Sequence, residues 1–264
     1  MGAEQSRQSY PEQISFRLAL SATPERWFDE AGTETLRSYF GETVFAFPLE
    51  KAIGVSLTPY YYHPHLVPLT DEELESYEEL SAKIARLFTR KDEQGQQALK
   101  MLLIRRAELL NKAANKLKTL SDLVSTVGHI DHTLFYCAPG QIDQVMRMLG
   151  WEKGLLVHRF TADESTAERQ QLLNDFTSGQ LQALVAMKCL DEGVDVPNTR
   201  TAFIMASSSN PREFIQRRGR ILRKAKGKEF SIIHDLIAVP PRNWSAPQDS
   251  PSFNAEGTIV RREL

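Results

Sequence analysis

The sequence has little cysteine, no long apolar run and no excess of charge of either sign. Each shortage closes off a class of protein. Cys137 and Cys189 are the two cysteines, and both stand in apolar stretches without a C-x-x-C spacing. That excludes a disulfide framework and fits buried thiols in a reducing cytosol. No apolar stretch approaches the ~20 residues a membrane span needs, and the polar start M-G-A-E-Q-S-R-Q-S has no signal-peptide core. A cytoplasmic protein with no membrane partner is expected. With 32 basic against 34 acidic side chains the net charge is -2, so any surface for nucleic acid must be local.

What is present is ordinary in bulk. The chain has 264 residues, 41% hydrophobic and 25% charged, enough for one large domain or two. The most informative stretch is 210–223, N-P-R-E-F-I-Q-R-R-G-R-I-L-R. Asn210 suits an N-cap, Pro211 the first helical position, and Glu213 completes a capping box. A helix is predicted from there into Arg223, burying Phe214, Ile215, Ile221 and Leu222. Gly219 inside it costs about 1 kcal/mol relative to alanine, so a close backbone approach or a tight turn is expected there. Arg220 and Arg223, three apart, share a helix face. Two planar guanidinium forks on one face suit the charge of a transferring phosphoryl group. From Arg212 to Lys228 eight basic residues face one acidic residue, and a patch holding any polyanion stays open as the alternative.

Taken in order, 16–20 (F-R-L-A-L) and 44–47 (V-F-A-F) read as short strands, with a short helix over 35–40 between them. The run L-T-P-Y-Y-Y-H-P-H-L-V-P-L reads as a connector whose tyrosines pack onto the downstream lobe. His63 and His65 lack the neighbouring cysteines or carboxylates of a metal site. Thr70 and Glu73 form a capping box for a helix carrying Leu74, Tyr77, Leu80, Ile84 and Leu87 at helical spacing. The polar run 90–97 reads as a loop, and a second helix then continues from Leu99 to about Val127. Lys100, Arg105, Arg106, Lys112, Lys116 and Lys118 on this hairpin are either nucleic-acid contacts or solvated faces. From His132 on, strand and helix alternate as in a parallel α/β sheet. Strands are predicted at 133–137, 155–160, 183–187, 201–206 and 230–234. A capping box at Ser165 and Glu168 opens one helix and Gly179 stops it. Ligand loops in such sheets lie at the carboxyl ends of the strands. After Leu236 the chain turns proline- and serine-rich, an extended tail in which Trp244 and Phe253 could dock.

The string from Gln216 to Arg223 resembles motif VI (Q-R-x-G-R-x-x-R) of the superfamily 2 helicases and translocases, complete over its eight residues. The resemblance implies Arg220 and Arg223 as arginine fingers at a nucleotide γ-phosphate and Gln216 as a group orienting the phosphate or the attacking water. Arg217 would tie the motif to the rest of the nucleotide site. S-A-T at 21–23 resembles motif III, which implies that Ser21 and Thr23 couple nucleotide to nucleic acid. Residues 135–139 with Gly140 resemble motif IV, whose following helix would hold a nucleic-acid phosphate. K-C-L-D-E-G-V-D-V-P at 188–197 resembles motif V. There Gly193 frees the turn, Asp195 would contact the nucleotide, and Lys188 would supply charge where many relatives carry a hydroxyl, here Met187. Asp191 and Glu192 read as a polar turn partnering these arginines rather than as a magnesium pair.

No G-x-x-x-x-G-K-[ST] string occurs, and the single Gly-Lys, Gly227-Lys228, is followed by Glu229. Asp29-Glu30 comes after the motif III segment instead of preceding it. The expected whole is an α/β protein. A RecA-like parallel sheet with flanking helices, the helicase C-terminal lobe, is preceded by the end of a first lobe and a helical insertion. The expected divisions are 1–59 for the first-lobe remnant and connector, 60–128 for the helical connector, 129–238 for the lobe and 239–264 for the tail. The resemblance implies an ATP-dependent DNA helicase or duplex translocase of the DNA-repair and restriction-type branch, with ATP and Mg bound mainly by a missing N-terminal lobe. DNA is expected as the track rather than RNA, since DEAD-box forms of motif VI usually begin with histidine. A non-catalytic nucleic-acid module and the motor of a restriction or defence nuclease are the other readings.

Overall fold

The computed structural model describes residues 10–11, 13–21, 30–90, 92–187, 196, 198–206 and 218–241. Their elements, in order, are α1 (Glu30–Phe40), α2 (Leu49–Ala52), β1 (Tyr60–Pro68), α3 (Asp71–Leu87), α4 (Glu93–Asn111) and α5 (Asn115–Val127). After them come β2 (Thr133–Tyr136), α6 (Ile142–Met146) running into a π-helical turn (Arg147–Glu152), β3 (Val157–Phe160), α7 (Thr166–Ser178), β4 (Ala183–Ala186), β5 (Thr201–Ile204) and β6 (Ser231–Val239).

The six strands form one sheet in the order β1-β6-β5-β2-β4-β3, and every pairing is parallel. A parallel sheet is covered on both faces, so its central strands are apolar on both sides. β2 and β4 are buried at every position. Leu134, Tyr136, Leu184 and Ala186 pack with Leu172 and Phe176 of α7 and with Ile221 and Leu222 on one face. Phe135, Val185 and Phe203 pack with Leu120 and Val124 of α5 and with Val145 and Leu149 on the other.

The capping boxes form as read. Thr70 Oγ1 accepts from the Glu73 amide at 3.2 Å, and Ser165 Oγ from the Glu168 amide at 3.3 Å. Gly179 closes α7 with φ +81°, where a side chain would be strained.

Five local expectations are corrected. The segments 16–20 and 44–47 are not strands; Phe16 is 94% and Val44 92% exposed. Alternating apolar residues become a strand only where a partner edge pairs with them, and the described residues offer none. The run 60–68 is no linker but the edge strand β1, in register with β6 from Tyr60↔Ser231 to Pro68↔Val239. Pro64 and Pro68 lack the amide a central strand must donate, and an edge strand tolerates that loss. The polar run at 90–97 is helical from Glu93, because Asp92 caps it by accepting from the Gly95 amide at 3.0 Å. The second helical stretch is broken near residue 113. Glu73 holds the break, taking the Thr70 amide on one oxygen (3.0 Å) and the Ala114 amide on the other (2.7 Å). Lastly, the turn at 218–221 ends short of Arg223, which bridges to Leu57 instead. The expected start of that helix, at Asn210 and Pro211, lies outside the described residues.

Candidate nucleotide and nucleic-acid site

The turn that carries the candidate fingers is built from both ends of the chain. Ile221 and Leu222 enter the apolar layer under β2 and β4, which fixes the turn against the sheet. Its carbonyls are then claimed in succession. Leu222 O accepts from the Thr58 amide at 2.7 Å. Ile221 O and Arg223 O accept from the buried Lys228 ammonium at 2.5 and 2.9 Å. Lys224 Nζ donates to Gly54 O at 2.9 Å. Carbonyls at a helix end need such partners, and here a lysine supplies two bonds.

Arg220 is half-buried and Arg223 exposed. Gly219 departs from expectation. Its φ is not in the left-handed region, and a Cβ built there meets nothing within 4 Å among the described residues. Neither a close approach nor a left-handed turn explains this glycine.

A second group lies at the carboxyl ends of the strands. Cys137, buried, comes directly after β2, and its amide donates to Ala186 O at 3.0 Å. This draws the β2 loop against the end of β4, next to Met187. Gly140 turns this loop with φ +86°, and the Lys112 ammonium lies 4.0 Å from where its Cβ would stand. Gln141 then caps α6, its amide oxygen buried with no hydrogen-bond partner among the described residues.

Lys116 corrects one expectation outright. It is 2% exposed and donates to Met205 O at 2.6 Å, beyond the end of β5. A lysine so buried cannot grip a nucleic-acid backbone; it ties α5 to the sheet. Lys100, Arg105, Lys112 and Lys118 are exposed or partly so, and Arg106 is partly buried with its guanidinium at 3.3 Å from Ser81 Oγ.

The structure therefore holds two separate clusters. Gly140, Met187 and Lys112 gather at the carboxyl edge. Arg220 and Arg223 lie instead beside the amino end of β1, where Thr58 meets Leu222. Ser21 is exposed, upstream of α1. Gln216, Arg217, Gly193, Asp195, Lys188 and Thr23 lie outside the described residues, as do Asp191, Glu192, Cys189, Trp244 and Phe253. No group of three or more His, Cys, Asp or Glu side chains among the described residues could hold a metal ion. No helix among them is long and apolar enough to cross a membrane.

Sequence reasoning placed the tyrosines on the lobe, and Tyr60 and Tyr62 do pack against its core, but it did not pair them with Arg218 and Asp235. Arg218 is buried over the Tyr62 ring, 4.3 Å from its centroid, and Tyr62 donates to Asp235 at 3.0 Å. Two alternating tyrosines were the available signal, obscured by the prolines beside them.

A six-stranded parallel sheet covered on both faces is a doubly wound α/β architecture, the form expected of a RecA-like lobe. Comparison with known proteins narrows this. Residues 115–225 match the family described as "Helicase conserved C-terminal domain". The chain is 30% identical over 237 residues to the DNA 3'-5' translocase XPB2 of Sulfurisphaera tokodaii, covering 83% of this chain and 52% of that protein. It thus spans about half the length of that relative. Among solved structures, the C-terminal part of the Fun30 ATPase domain superposes with TM-score 0.52 at 14% identity, over 79% of this chain and 89% of that one. The Sulfolobus solfataricus SWI2/SNF2 ATPase core in complex with dsDNA gives 0.53 at 15%, over 80% and 48%. These two show the fold. Over residues 115–225 the chain thus matches the helicase C-terminal domain, and over most of its length it is similar to a DNA translocase, in line with its motif VI string.

Proposed function

We propose that this chain is the second lobe of an ATP-driven DNA helicase or duplex translocase and supplies the arginine fingers for ATP hydrolysis. The observation that carries the proposal is the complete string from Gln216 to Arg223, whose described end is held on the sheet with Arg220 and Arg223 reaching solvent. Arg220 and Arg223 stabilise charge on the γ-phosphoryl group as it transfers, and Gln216 orients the attacking water. Gly193, Asp195 and Arg217 approach the nucleotide from this lobe. The P-loop and Mg-binding carboxylates belong to a first lobe that closes on this one; this lobe runs to about residue 238 and takes β1 (Tyr60–Pro68) into its sheet, with the helices between 69 and 128 as a connector packed on it and 239–264 as a tail. Ser21, Thr23, Gly140 and Lys188 contact the DNA backbone. Support for DNA comes from the 30% identical relative, by name a DNA translocase, and from the form of the motifs.

The test is ATP turnover by the intact motor with duplex DNA. Arg220→Ala or Arg223→Ala lowers turnover by roughly 10³–10⁵, while the affinity for duplex DNA measured by anisotropy holds. Equal loss of both would overturn the finger assignment. This chain alone is expected to hydrolyse no ATP; DNA-stimulated turnover by it would place a complete phosphate site within these residues.

A further inference from the structure

We propose that Arg218 is a positioning residue for the fingers, clamped by β1 so that the segment 54–62 sets where Arg220 and Arg223 point. The inference rests on the finger reading above and goes beyond it, because it assigns a role to residues that the motif leaves open.

Arg218 is 8% exposed, though its neighbours Arg220 and Arg223 are not buried. An arginine of this burial is normally held by specific partners. Its Nη1 donates to the Tyr60 hydroxyl at 3.3 Å, and its guanidinium lies over the Tyr62 ring at 4.3 Å. Tyr62 in turn donates to Asp235 Oδ2 at 3.0 Å, and Asp235 is 0% exposed. The cation is thus held on an aromatic face, and that ring is fixed by a buried carboxylate on the neighbouring strand β6. On a helix, residues two apart are separated by about 200°. Drawing Arg218 inward against β1 therefore turns Arg220 outward.

The same upstream segment also holds the end of the turn, together with Lys228. Thr58 donates to Leu222 O, Leu57 bridges to Arg223, and Gly54 O receives Lys224. Thr58, Leu57 and Gly54 all come from the short stretch that leads into β1. A shift of residues 54–62 along β6 would carry the finger turn with it. An arginine finger tolerates little displacement, since an error near 1 Å can cost on the order of 100-fold in rate.

The experiment is steady-state ATP hydrolysis by the intact motor, this chain together with its P-loop lobe, on duplex DNA. Variants are Arg218→Ala, Arg218→Lys, Tyr62→Phe and Arg220→Ala, with Tyr61→Phe as a control on the other side of β1. Arg218→Ala lowers kcat by about 10- to 100-fold, with KM for ATP and affinity for DNA within about two-fold of the parent. Tyr62→Phe keeps the ring but loses the bond to Asp235, and lowers kcat less. Arg218→Lys restores part of the alanine loss because it keeps the cation over the ring. Tyr61→Phe leaves all parameters unchanged. If Arg220→Ala abolishes turnover while Arg218→Ala and Tyr62→Phe keep the parental kcat, the positioning role is overturned and the finger reading stands. Turnover that survives Arg220→Ala overturns the finger reading and this inference with it. Should Arg218→Ala fail to fold, Tyr62→Phe and Arg218→Lys decide: a parental kcat in both overturns the proposal.

Discussion

The most informative single side chains are basic groups that have left the solvent. Lys116 and Lys228 each end on backbone carbonyls, and Arg218 ends on tyrosines. Their charge serves the architecture. Lys116→Ala removes the donor from Met205 O and leaves a gap under α5, so stability falls by about 2–4 kcal/mol. Urea unfolding reads this loss, and affinity for duplex DNA stays as it was. A lysine in a predicted basic helix looks the same in sequence whether it faces water or a carbonyl. Lys116 therefore passed for a member of a solvated or DNA-facing set. Its position on α5, one turn before Leu120 and two before Val124, held the periodic information. The charge argued against using it.

At the scale of elements, ends were legible and extents were not. The capping boxes at Thr70 and Ser165 and the stop at Gly179 are local chemistry, so about four or five residues suffice to specify them. The break between α4 and α5 is not local. Glu73, 41 residues upstream, supplies the acceptor for Ala114. Thr70→Ala should cost about 1 kcal/mol, the usual loss for a cap. Glu73→Ala should cost more, because two amides lose their acceptor. Thermal melts of the two variants check this, and equal losses would mean that the Ala114 bond contributes nothing. β1 is the converse case. Its prolines argue against a strand, and only its position at the sheet edge makes them harmless.

At the scale of the whole molecule, one row of rings crosses the sheet. Phe135 stacks on Phe203, Phe203 on His234, and His234 on His63 and His65, with His65 Nε2 3.0 Å from His234 Nδ1. Burial first, then His65 and His63, hold His234 at about 4 against an ordinary 6.5. Burial and His63 also lower His65, against an upward pull from Asp235. Well above pH 6.5 both states leave His234 neutral and stability is full. As pH falls from 6.5 toward 4, the unfolded chain takes up a proton that the folded chain refuses, and stability is lost. His234 is partly solvated, so the loss is about 1–2 kcal/mol rather than the full value of the shift. Urea midpoints between about pH 7 and pH 4 measure it, and His234→Phe should flatten the curve; an unchanged slope would refute the assignment. By itself the sequence determined the alternation of strand and helix after His132, the capped helix ends and the motif VI string. Each rests on side chains close together along the chain. Tertiary structure alone decided that residues 60–68 form the sixth strand, that Lys116 turns inward, and that Arg218 lies against Tyr62. Those outcomes depend on partners as far apart in the chain as Tyr62 and Asp235, 173 residues, which local pattern does not encode.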